Sequence, residues 1–78
     1  MNSWLSERAD ALAQRAGVDR DTLELSAEDV ERLLDAAGFA ARASGARTNA
    51  PLLCYLLGLA RAGGVPLDEL DESVRSTS

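Results

Sequence analysis

Apolar positions recur along this chain mostly three and four residues apart, the spacing of one face of an α-helix. Leu5, Ala9, Leu12 and Ala16 set the first such stripe, with Trp4 beside it. Ser3 is placed to cap the start, and Gly17 to take the left-handed position after the end. Val18 to Leu25 reads as a short connector holding at most one helical turn, with Leu23 and Leu25 turned inward. Ser26-Ala27-Glu28-Asp29 resembles a capping box. Behind it, Val30, Leu33, Leu34, Ala37 and Ala41 fall in an arc about 100° wide, the expected core stripe of a second helix. Gly45 ends that helix.

The third element lacks this alternation. Pro51 suits a first helical turn after Asn49 or Ala50. Leu52, Leu53, Cys54, Tyr55, Leu56, Leu57, Leu59 and Ala60 then leave almost no polar side. A helix apolar all round is expected to be buried all round, so in so small a domain it is the central element or also meets a partner. Gly58 within it is expected to let another helix approach closely, and Tyr55 to be a core residue with its hydroxyl at the surface. Gly63-Gly64 stops it. Pro66 opens a fourth helix with Asp68 and Glu69 at its positive end and Leu67, Leu70 and Val74 inside. Arg75 to Ser78 should fray. The pattern predicts an all-α fold: a single domain over residues 1–78, a compact bundle of four short helices (about 4–16, 27–43, 51–62 and 66–75) around the central apolar third helix.

Composition sharpens this picture. With 78 residues the core is small. There are 14 Ala and 13 Leu against four Val and no Ile, a helix-favouring balance. His is absent and Cys54 is the single cysteine, so a Ser-His triad, a Cys–His pair, an internal disulfide and a Cys/His metal site are excluded. The longest apolar run falls well short of the ~20 residues that span a bilayer. No membrane segment, signal peptide or cofactor is expected, and the disulfide-free composition suits the cytoplasm. The net charge of −5 disfavours nucleic acid as a partner. Charge is uneven, however. Residues 36–67 hold no acid and three arginines, Arg42, Arg47 and Arg61, between acidic flanks.

Two features are candidates for binding. Arg47, Thr48 and Asn49 precede the third helix, whose N-terminal amides could hold an anion. An ordinary capped turn with a solvated arginine is the favoured reading, since one Gly and one Arg are much weaker than a true phosphate loop. Phe39 lies about 180° around the second helix from Val30. With Ala36, Ala40 and Ala43 it forms a second apolar line, and with Arg42 and Arg61 a candidate interaction face. Cys54 reads as a small buried hydrophobe with no cation nearby in sequence to activate it. Glu28, Asp29, Glu31 and Asp35 read as a solvated helix face, and Glu72-Ser73-Val74 as a chance echo of a carrier-protein modification site.

Arg47, Ala50-Pro51-Leu52, Tyr55-Leu56, Gly58 and Ala60 spell R-x-x-A-P-L-x-x-Y-L-x-G-x-A. Together with Trp4-Leu5 and Leu33-Leu34-Asp35, this resembles a small actinobacterial helical domain family of uncharacterised function, over about residues 3–64. Members of that family stand alone or are fused to the molybdenum-cofactor nucleotidyltransferase that makes molybdopterin guanine dinucleotide. The chain departs from the family at Gly38-Phe39-Ala40-Ala41-Arg42, where a polar, often His-containing stretch is usual. The resemblance implies a non-catalytic accessory module whose partner is that nucleotidyltransferase or a molybdoenzyme. The alternatives are a homodimeric helical protein, or a binder of a phosphate-bearing ligand at Arg47, Thr48 and Asn49. An enzyme is the least expected class, since no set of convergent polar groups can be named.

Overall fold

A computed structural model describes residues 1–77. Among them are four α-helices and no strand: α1 (Ser3–Ala16), α2 (Ala27–Ser44), α3 (Asn49–Arg61) and α4 (Leu67–Ser76), with a 3-10 turn at Arg20–Leu23. The all-α class and the number of helices are those the periodicity predicts. The chain divides into two compact units, Met1–Val30 and a second from Glu31 onward.

In the first unit, α1 packs against the 3-10 turn. Its cap is Asn2, not Ser3: the Asn2 side-chain oxygen accepts from the Leu5 N–H at 2.9 Å. Gly17 takes φ 70°, and the Gly17 and Val18 amides both donate to the Ala13 carbonyl. The buried residues of α1 are Ala9 and Ala13, whereas Leu5, Leu12 and Ala16 of the expected stripe are exposed. Small residues let the turn sit close, so the inward face is the alanine side. Arg20 fastens the turn. Its Nε donates to Asp10 Oδ1 at 2.6 Å and its Nη1 lies 3.1 Å from Glu24 Oε2. The hydrogen bond to Asp10 raises the Arg20 pKa, so the guanidinium stays charged. Leu23 and Leu25 are half-buried. The expected capping box forms at the start of α2. Ser26 Oγ accepts from the Asp29 amide at 3.0 Å, and the Ser26 amide donates back to Asp29 Oδ2 at 3.4 Å.

The second unit has its core at Ala36, Leu57 and Leu67, one residue from each of α2, α3 and α4, with Leu33, Leu53, Leu70 and Val74 packed around them. Two expectations fail here. The inward arc of α2 runs through Leu33, Ala36 and Ala40, while Leu34 of the expected stripe is 69% exposed. The third helix is not buried all round either. Leu53, Cys54 and Leu57 face inward, but Leu52, Tyr55, Leu56 and Leu59 are exposed, Tyr55 by 67%. In this unit α3 has two helical neighbours, and they cover one side of it.

Local chemistry sets the joints. Ser44 Oγ donates to the Ala40 carbonyl and accepts from the Ala46 amide, and Gly45 takes φ 71°. Gly64 takes φ 101° after α3. On α4 the expected Leu67, Leu70 and Val74 turn inward, and Asp71 joins them at 7% exposure. The expected fraying of Arg75 to Ser78 does not hold for Arg75 and Ser76, which are helical; Ser78 lies outside the described residues.

Candidate interaction surface

The α2–α3 hairpin of the second unit encloses an open apolar groove of about 290 Å³. Phe39, Ala40, Ala43 and Ser44 of α2 form one wall, and Asn49, Leu52, Leu53 and Leu56 of α3 the other. Each wall follows from helical spacing. Phe39 and Ala43 are i and i+4, as are Leu52 and Leu56, so each pair stacks along one side of its helix.

The five residues of the expected interaction face separate. Phe39 and Ala43 line the groove. Ala36 is fully buried in the core, so it is not part of any surface. The reason is the rotation of α2: the second apolar line on the wheel contains the packing face itself. Arg42 is exposed but folds along its own helix, its Nη1 lying 2.9 Å from where a Cβ on Gly38 would stand. Arg61 is exposed at the end of α3 and does not line the groove.

Arg47, Thr48 and Asn49 are consecutive and exposed at the start of α3. Thr48 has helical backbone and makes no side-chain capping bond. The amides an anion would use are largely engaged. Those of Asn49 and Ala50 donate to the Ala46 and Arg47 carbonyls at 3.1 Å each, and Pro51 has none. Of the three, Asn49 alone lines the groove.

Other titratable groups are structural. Cys54 is half-buried with Sγ 3.7 Å from the Leu33 carbonyl, a weak S–H contact, and burial pushes its thiol pKa up. That is opposite to the shift a nucleophilic thiol needs at neutral pH. Asp71 accepts from Arg75 Nε at 3.1 Å. This pair was not anticipated, although its i, i+4 spacing was available in the sequence. Among the described residues no group of three or more acidic or cysteine side chains is arranged to hold a metal ion. None of the described helices is long and apolar enough to cross a membrane.

A domain family matches residues 1–78. The chain belongs to the family described as "Domain of unknown function (DUF6457)". The DUF6457 match includes α4, beyond the stretch on which the resemblance to a small uncharacterised domain rests. Neither the curated proteins nor the solved structures contain a match to the chain.

Proposed function

We propose that this DUF6457 chain is a non-catalytic, cytoplasmic accessory module that docks onto a larger protein through the α2–α3 groove. The observation that carries this reading is the groove's chemistry. Its walls are Phe39, alanines and leucines, with Ser44 and Asn49 at one end. Such a surface suits the apolar side of a protein segment more than a polar metabolite, which needs convergent hydrogen-bonding groups.

The partner class comes from the resemblance of the R-x-x-A-P-L-x-x-Y-L-x-G-x-A segment to domains found beside, or fused to, the molybdenum-cofactor nucleotidyltransferase in actinobacteria. The module would hold that enzyme, or a molybdoenzyme receiving molybdopterin guanine dinucleotide, without itself reacting or binding a cofactor. The test is titration calorimetry of the purified chain against the nucleotidyltransferase of the same cell. Binding is expected, weakened about tenfold or more by Ala43→Glu, which puts a charge into the apolar groove. Absence of heat with that enzyme and with the cell's molybdoenzymes at about 100 µM, where even weak docking registers, defeats the reading.

A further inference from the structure

We infer that the outer side of α3 is a self-association surface, covered in solution by a second copy of this chain in antiparallel, two-fold contact. This does not depend on the accessory role proposed above. Leu52, Tyr55, Leu56 and Leu59 are all exposed. Their spacing is i, i+3, i+4 and i+7, so at about 100° per residue they form one stripe. The stripe looks away from Leu53 and Leu57, which face the core. It holds no charged side chain, and its polar atom is the Tyr55 hydroxyl. A surface so uniform selects a partner by shape and apolarity, and it is its own complement.

Four further points favour a second copy. The centre of the stripe falls between residues 55 and 56, so a two-fold axis there sets Leu52 against the partner's Leu59 and Tyr55 against the partner's Leu56. The four side chains expose on the order of 500 Å² per chain, so a symmetric pair that covered them fully would remove roughly 1,000 Å² from the stripe alone, the lower edge of a specific interface. Leu52 and Leu56 also belong to the groove, so the apolar area continues past the stripe. Antiparallel pairing also sets the positive end of one α3 beside the negative end of the other. The net charge of −5 on each copy opposes pairing as well as further growth, so the apolar burial has to outweigh it.

The experiment is sedimentation equilibrium of the full chain between about 1 and 100 µM, a range that resolves ordinary dimer affinities. A dimer is expected. Tyr55→Arg with Leu59→Arg should raise its dissociation constant by about 100-fold or more while the helical circular dichroism stays unchanged, because both positions are exposed. Neither residue lines the groove, but a second copy covers Leu52 and Leu56, which do, so pairing competes with docking to another protein; the double arginine variant should leave docking intact or strengthen it, whereas Ala43→Glu should weaken it. In a Cys54→Ala background, a mixture of Leu52→Cys and Leu59→Cys chains should form the 52–59 cross-link with a short thiol-specific reagent, and neither chain alone should cross-link to itself. A monomer at the top concentration, a dimer indifferent to the double arginine variant, or 52–52 links in place of 52–59 links overturns the inference.

Discussion

The guanidinium of Arg75 lies over the ring of Phe39, its central carbon 5.0 Å from the ring centroid, and the same side chain donates from Nε to Asp71 Oδ2 at 3.1 Å. One residue of α4 thus covers the α2 aromatic at the edge of the groove and holds a carboxylate that is 7% exposed. The other oxygen, Asp71 Oδ1, is buried with no hydrogen-bond partner among the described residues. Arg75→Ala removes the remaining bond of Asp71 and uncovers Phe39. Arg75 is partly exposed, so the expected loss is moderate, about 1–2 kcal/mol, below that for breaking a fully buried pair. Replacing both ends with apolar groups, Asp71→Leu with Arg75→Met, should return stability to within about 1 kcal/mol of the parent, or above it. Urea melts of the three proteins decide this, and a parent-like midpoint for Arg75→Ala shows that the pair carries nothing.

Gly58 gives a prediction for the stability of α3. The position is inside α3, has no positive φ, and has open space where a Cβ would go. Gly58→Ala should therefore stabilise the isolated chain by about 0.5–1 kcal/mol through helix propensity and the reduced freedom of the unfolded chain. Position 58 lies about 110° around α3 from the centre of the exposed stripe, so self-association should be unchanged. Thermal melts at low concentration should show the gain, and a loss of stability would mean that this glycine answers to a contact of its own.

What the sequence made legible here was mainly local. Gly17, Gly45 and the Gly63-Gly64 pair end helices because the chemistry of each stop is written in one or two residues. The Ser26 capping box was readable for the same reason. Which side of α2 faces inward was not. Its wheel carries two apolar arcs, and weighing them by bulk favours Leu34, whereas the structure puts the small Ala36 and Ala40 inside and leaves Leu34 out. A methyl side chain contributes little area but permits a close helix approach, and hydrophobicity patterns do not register that. On α3 the wheel carried no direction at all. Being apolar on every side, the helix is expected either at the centre of its own chain or against a partner as well. Burial by its own chain fails for Tyr55 and Leu59. The groove needed the α2–α3 hairpin before Phe39 and Leu56 could be seen to share it.

Cys54 supplies a pH dependence. Burial raises its pKa in the folded chain above the ordinary thiol value. The folded state therefore holds the proton more tightly than the unfolded state. Below the ordinary thiol pKa both states are protonated and stability is independent of this group. As pH rises from that value towards the raised one, the unfolded state ionises first, so stability falls across that window and levels off above it. Cys54→Ala should abolish this alkaline slope, at the cost of a constant packing loss. Alkylation of native Cys54 at neutral pH should also be slower than that of a free cysteine. Alkylation at the free-cysteine rate contradicts the buried, protonated thiol.

The cap of α1 separates two adjacent residues that look interchangeable in the sequence. Asn2 and Ser3 are both good capping types, and Ser3 stands next to the apolar stripe. In the structure Asn2 has the extended backbone of a cap, φ −74° and ψ 166°, and its side chain takes the Leu5 amide, while Ser3 is already helical. Asn2→Ala should lower stability by about 0.5–1 kcal/mol, the usual loss when a cap becomes alanine. Ser3→Ala should be neutral or slightly stabilising, since alanine is the better residue inside a helix. The reverse order in paired melts would move the start of α1 by one residue. The face that α1 turns to the 3-10 turn would stay the same, because the buried Ala9 and Ala13 fix it from within the helix and a shifted cap only adds or removes a residue at the end.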